Sequence, residues 1–150
     1  MPLPAMPLPT TEPVIRVSPL PADANTYGDI FGGWLVGQMD QGAGLIASRT
    51  SRGRAVTVAV DGMQFLSPVH VGDEVSVYGE IVRIGRSSMA IRMQAWRRER
   101  HGEETNKVTE ATFTFVAIDD EGRPRPVGDD GGRGRPVGDD EGRARPVDKE

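Results

Sequence analysis

The chain has 150 residues, 22 acidic against 18 basic, a net charge of −4 and no cysteine. That length accommodates one domain with a modest core. The missing cysteines exclude disulfides, thiolate metal sites and cysteine nucleophiles, and the acidic balance argues against a general nucleic-acid binder. Charge is unevenly spread: residues 119–150 hold ten acids and seven bases, so the rest is nearly neutral. The two histidines, His70 and His101, are too few for a His-rich metal centre. No apolar run approaches the ~20 residues of a membrane helix. The proline-rich start has no basic n-region and reads as no signal peptide, so the expected compartment is the cytoplasm.

Residues 1–12 read as a flexible Pro-rich arm, because proline fixes φ and lacks an N–H. Residues 14–17 are a short first strand. Residues 29–49 form the one long helix, with Asp29 near its N-terminus, where the dipole favours an acid. Ile30 or Phe31, Leu35, Met39, Gly42 and Ile46 recur at helical spacing and should face a core. The neighbouring stripe, Gly33, Val36, Gly37, Asp40, Gly44 and Ala47, is mostly small, so something comes close to it. Phe31, Trp34 and Phe65 are expected in the core, one of them lining a tunnel.

Everything after the helix alternates as strand. Residues 55–60 are β-branched and continue to 65 through a bend or bulge at Asp61-Gly62. Residues 67–73 make a turn containing His70. Residues 74–84, 88–98 and 108–118 follow as strands, with turns at Gly85-Arg86 and His101-Gly102-Glu103. The expected architecture is α+β: one helix against about four long antiparallel strands in a meander. One helix cannot cover both faces of such a sheet, so a second copy is expected against a face or an edge.

The C-terminus is a near-exact decapeptide repeat. Glu121-Gly-Arg-Pro-Arg-Pro-Val-Gly-Asp-Asp130 is followed by copies starting at Gly131 and Glu141. One valine per ten residues does not offset the entropy of ordering, so residues 128–150 read as a disordered tail beside a domain spanning 13–127.

Two local penalties sit close together: glycines at a helix start, and a carboxylate, Asp40, about two turns inside an expected buried helix. Glycine amides at a helix N-terminus suit a developing oxyanion, or else close packing. Asp40 suits acid–base chemistry, or else caps or pairs with an arginine in a dimer. Asn25 suits a turn or cap, and Thr57 is a polar residue in an apolar strand. The Gly85, Arg86, Ser87, Ser88 stretch is either a hairpin turn or a phosphate contact. The run Arg97-Arg98-Glu99-Arg100 reads as a strand end on the surface.

The segment Asn25-x-x-Gly-Asp-Ile-Phe-Gly-Gly-Trp-Leu followed by Gln38-Met-Asp40 resembles the helix signature of hot-dog acyl-CoA thioesterases, nearest the YciA-type branch. Thr57-Val-Ala-Val-Asp-Gly-Met-Gln-Phe65, Pro68-Val-x-Val-Gly-Asp73 and Gly85-Arg-Ser-Ser-Met89 resemble later family segments in order and spacing. The resemblance implies a long helix wrapped by an antiparallel sheet, with active sites between subunits of a dimer that often assembles into hexamers. It implies hydrolysis of acyl-CoA to free acid and coenzyme A, without metal or redox cofactor. Asp40 would be the general base or nucleophile, and Gly32 or Gly33 the oxyanion donor. Asn25 would face the partner's aspartate, Thr57 would help hold water, and Gly85, Arg86, Ser87 and Ser88 would contact coenzyme A. A non-catalytic acyl-CoA-binding module on the same fold is the alternative. The hydratase pattern Asp-x-Asn-Pro-x-His is absent, which sets His70 aside as a catalytic base.

Overall fold

A computed structural model describes residues 8–128. The first residues of the Pro-rich arm and the second and third repeats lie outside the described residues. The chain runs β1 (Ile15–Val17), a 3-10 turn (Pro21–Asp23), α1 (Gly32–Ser51), β2 (Ala55–Phe65), β3 (Glu74–Ile84), β4 (Ser88–Arg98) and β5 (Thr105–Ala117). The strands form one antiparallel sheet in the order β1-β3-β4-β5-β2.

The alternation seen in the sequence makes the core. Val75 and Val77 on β3, Met89, Ile91 and Met93 on β4, and Phe113 and Phe115 on β5 are buried. Leu35, Met39, Ala43 and Ala47 of α1 belong to the same cluster. Removing each large side chain of this set from water contributes about 1.5–3 kcal/mol. Glycine permits the closest approach of helix and sheet: a Cβ at Gly79 of β3 would lie 2.5 Å from Met93 Sδ and 2.6 Å from Ile46 Cδ1.

Three expectations change. The strands are not a simple meander, because β2 pairs with β5 at the far edge and not with β3. The segment joining β2 to β3 crosses the sheet end, tied by Leu66 N–H to the Val108 carbonyl at 2.7 Å. The helix begins at Gly32, not Asp29, because residues 25–30 are held in a separate loop. Ala47 lies in the core and not on the exposed small-residue stripe. The bulge does occur: the β2–β5 register shifts between Thr57 and Ala59 and again between Asp61 and Gln64.

The first repeat is packed into the domain. Arg125 is fully buried and Val127 joins the core cluster.

Candidate active site

The loop before α1 is built around Asn25. Its Oδ1 accepts the N–H groups of Tyr27 at 2.8 Å and Asp29 at 3.1 Å. Its own N–H donates to the Asp29 carbonyl at 2.7 Å, and Gly28 takes the left-handed φ of 89° that the tight turn requires. Ile30 N–H then bonds the Val69 carbonyl and Phe31 N–H the Asp23 carbonyl. Within the chain Asn25 is therefore a turn former.

This loop delivers the helix with an open N-terminus. The N-cap is Phe31, and no side chain caps the first amides. The two candidate glycines differ. A Cβ at Gly32 would press on the Phe65 ring at 3.3 Å, whereas one at Gly33 would meet nothing within 4 Å. Gly32 answers to packing, and Gly33 presents its backbone to open space. Beside it lies an apolar cleft of about 240 Å³ lined by Ile30, Phe31, Gly32, Leu35, Phe65 and Val108.

That cleft corrects the aromatic assignments. Phe31 and Phe65 are half exposed and line the cleft, while Trp34 packs partly buried against the core. Val108 and the turn residues Pro68 and Val69 also line it, and none of them carries a sequence signal for it. Their contribution depends on the crossing of residues 66–73, which is long-range.

Asp40 lies on the exposed flank of α1 and is partly buried. Within one copy, no arginine among the described residues pairs with it. Thr57 Oγ1 donates to its Oδ1 at 2.6 Å, fixing the carboxylate against β2 at the bulge that begins there. A bulge re-aims side chains next to functional sites. Thr57 thus acts on the carboxylate directly.

The turn 85–88 closes the β3–β4 hairpin, with Gly85 N–H bonded to the Ser88 carbonyl at 2.8 Å. Its backbone also accepts from elsewhere: the Ser87 carbonyl from Ala117 N–H, and the Arg86 carbonyl from Val127 N–H, both at 2.8 Å. The Arg86 side chain is exposed. The 125–127 segment links this turn to the helix's C-terminal end, since Arg125 bonds the Ser51 carbonyl.

Gly33 and Asp40 are strung out along one helix, and the 85–88 turn lies on a hairpin outside it. From Gly33 to Asp40 is roughly 10 Å at 1.5 Å per residue, and the whole of α1 spans roughly 30 Å. A reacting carbonyl has to lie about 3 Å from both the carboxylate and the oxyanion donors. One copy of the chain does not bring them together.

The basic run 97–100 is committed to structure. Arg97 pairs with Asp73 at 2.8 Å and Arg98 with Glu74 at 2.8 Å. Arg100 bonds the Gly72 carbonyl and Ser18. The hydrogen bond to Glu74, with the attraction of its charge, raises the Arg98 pKa above the usual range. His70 bridges Asp29 and Asp73 at 3.5 and 3.9 Å. Among the described residues no group of three or more His, Asp or Glu side chains is arranged to hold a metal.

Residues 27–104 match the thioesterase superfamily. The chain belongs to that superfamily. An uncharacterised acyl-CoA thioester hydrolase of Zymomonas mobilis is 53% identical over 116 residues, covering 77% of this chain and 78% of that protein. The acyl-CoA thioester hydrolase YciA of Escherichia coli is 46% identical over 121 residues, covering 79% of this chain and 92% of its own. Among solved structures, a hexameric thioesterase from Yersinia pestis superposes with a TM-score of 0.76 at 49% identity, over 79% of this chain and 97% of that one. One helix on an antiparallel sheet is the hot-dog arrangement of this superfamily, as the helix signature implied.

Proposed function

We propose that the protein hydrolyses acyl-CoA thioesters to free carboxylic acid and coenzyme A, in sites completed between two copies of the chain. The observation that carries this reading is the pairing of Thr57 with Asp40 on the same helix whose first turn is uncapped and exposed at Gly33. Thr57 occupies one carboxylate oxygen, which leaves Oδ2 for water or for the thioester carbonyl carbon. Asp40 either takes a proton from attacking water or attacks the carbonyl itself; both routes place negative charge on the former carbonyl oxygen. Helix N-terminal amides stabilise that charge.

Separation along α1 requires the amides and the carboxylate to come from different copies. Strand β2 supplies the means. It is an edge strand with Val56, Val58 and Val60 exposed. Thr57 lies near its start beside Asp40, and Phe65 lies at its end beside Gly32. Antiparallel pairing of two β2 edges makes the sheet continuous across the dimer and sets the start of one strand opposite the end of the other. The partner subunit's Gly33 then approaches Asp40. The apolar cleft beside Gly32 suits the acyl chain, and Asn25 keeps the loop that aims the amides. The 85–88 turn, with Gly85, Arg86, Ser87 and Ser88, suits the phosphates of coenzyme A. Hexameric assembly, as described for the Yersinia pestis thioesterase, is the expected quaternary state. The reaction needs water and the chain's own groups, with no cofactor, and runs in the cytoplasm.

The test is thiol release from a panel of acyl-CoAs, acetyl to palmitoyl, followed with a chromogenic disulfide. The chain has no cysteine to interfere. Release that Asp40→Asn abolishes supports the reading. No release across the panel, with coenzyme A still raising the melting temperature, would leave a binding module instead.

A further inference from the structure

The C-terminal end of α1 carries a socket that the first repeat fills. Arg125 Nε donates to the Ile118 carbonyl at 2.8 Å, Nη1 to the Ser51 carbonyl at 3.0 Å, and Nη2 to Ser51 Oγ and the Arg54 carbonyl, both at 3.2 Å. Arg125 N–H adds a bond to the Ala117 carbonyl at 3.0 Å, and Val127 N–H one to the Arg86 carbonyl. The ligand shape is set locally. Asp119 accepts the N–H groups of Glu121 and Arg123 at 2.9 Å each, and Gly122 takes a φ of 83°.

Taken from Asp119, the repeat restores every one of these features ten and twenty residues later. Asp119 returns as Asp129 and Asp139, Gly122 as Gly132 and Gly142, Arg125 as Arg135 and Arg145, and Val127 as Val137 and Val147. Across residues 119–128 only positions 121, 124 and 128 vary between copies, and Glu121, Pro124 and Gly128 are all exposed. The buried positions, Asp119, Arg125 and Val127, do not vary.

We infer that this socket is a receptor for the ten-residue motif, and that residues 129–138 of the same chain occupy it whenever the first copy leaves. The residues that shape the first copy's turn, Asp119 and Gly122, recur in the second as Asp129 and Gly132. The pocket's acceptors all lie on Ser51, Arg54, Arg86, Ala117 and Ile118, none of which is in the repeat's exchanged part. Exchange lengthens the loop between Ile118 and the docked arginine from about 7 to about 17 residues, which weakens docking only about fourfold. The third copy provides a further, weaker replacement by the same argument. The domain's closing latch is therefore redundant.

Three full-length variants test this by thermal unfolding, a readout independent of catalysis. Arg125→Ala alone should lower the melting temperature by no more than about 5 °C, because the second copy takes over. Arg135→Ala with Arg145→Ala should leave it unchanged. All three substitutions together should lower it by about 10 °C or more, since the socket's buried carbonyls then lose their donor. If Arg125→Ala alone unfolds the protein or matches the triple variant, the spare copies do not substitute and the inference fails. A triple variant as stable as the parent would also overturn it, by showing that the socket needs no arginine. Rescue that fades on dilution would put a neighbouring chain's tail in the socket and overturn the intrachain form.

Discussion

The two ends of α1 are treated in opposite ways. An α-helix leaves about four N–H groups orphaned at one end and about four carbonyls at the other. At the N-terminal end no side chain caps the amides, Gly33 faces open space, and Phe31 and Phe65 frame an apolar cleft. At the C-terminal end Arg52 turns the chain in the left-handed conformation, Ser51 is fully buried, and Arg125 takes its carbonyl. Both ends had the same kind of polar deficit. One is closed by protein; the other is left open, and the proposed function puts the thioester carbonyl there.

The sharpest break of this comparison is at the open half. Asp40→Asn should lower kcat by about 10³-fold, within the usual range for a general base, and leave the melting temperature within about 2 °C. A variant retaining turnover would remove Asp40 from the site. Gly33→Val should lower kcat/KM about 100-fold by filling the space above the amide, as loss of an oxyanion donor does. Its stability should hardly move: the penalty of a β-branched residue in a helix and the penalty of glycine nearly cancel. If activity survives Gly33→Val, the open end is not where the carbonyl binds.

How legible was this division in the sequence? The strands at Glu74–Ile84 and Ser88–Arg98 follow from the alternation of Val75 and Val77 on one and Met89, Ile91 and Met93 on the other, all buried in the core. The glycine pair and Asp40 stood out because they violate helix preferences. What escaped was long-range. The far placement of β2 depends on the crossing of residues 66–73, and β5 starts at Thr105, three residues before its apolar alternation begins. The helix end at Ser51 is fixed by Arg125, 74 residues away. Phe31 and Phe65 misled because a large aromatic in a groove and one in a core have the same pattern. The run at 97–100 read only as a surface strand end, because the partners that hold it, Asp73, Glu74, the Gly72 carbonyl and Ser18, are distant in sequence.

Two further variants sharpen the contrast between open and packed small residues. Gly79→Ala lies under the helix, where its Cβ would crowd Met93 and Ile46. It should cost about 1–3 kcal/mol and lower the melting temperature by about 5–10 °C. A harmless Gly79→Ala would mean that the core yields as easily as the open end. Thr57→Val keeps the shape of β2 but removes the donor to Asp40. We expect a roughly tenfold fall in kcat, for one hydrogen bond to a charged group, with chemical denaturation midpoints nearly unchanged.

The smallest effect belongs to the closed end and appears only in acid. Asp119 accepts backbone N–H groups of Arg123 and Glu121, which pull its pKa below the usual carboxylate value against the opposing effect of burial; the Arg123 charge adds to the pull. A depressed folded-state pKa means that the unfolded chain binds the proton more readily. The contribution to stability is therefore fully present above the unfolded pKa of about 3.9 and is lost as pH falls through the lower folded value. Asp119→Asn keeps an oxygen acceptor but no titratable charge. Melting temperatures of parent and variant, measured from pH 7 down to about pH 2.5, should differ at neutral pH and converge in acid. Parallel curves would mean that the carboxylate's charge does not hold the turn. The arginine latch would then stand on Arg125 and Val127 alone, and the closed end of the helix would owe its closure to the hydrogen bonds and packing of those two residues, without the Asp119 charge.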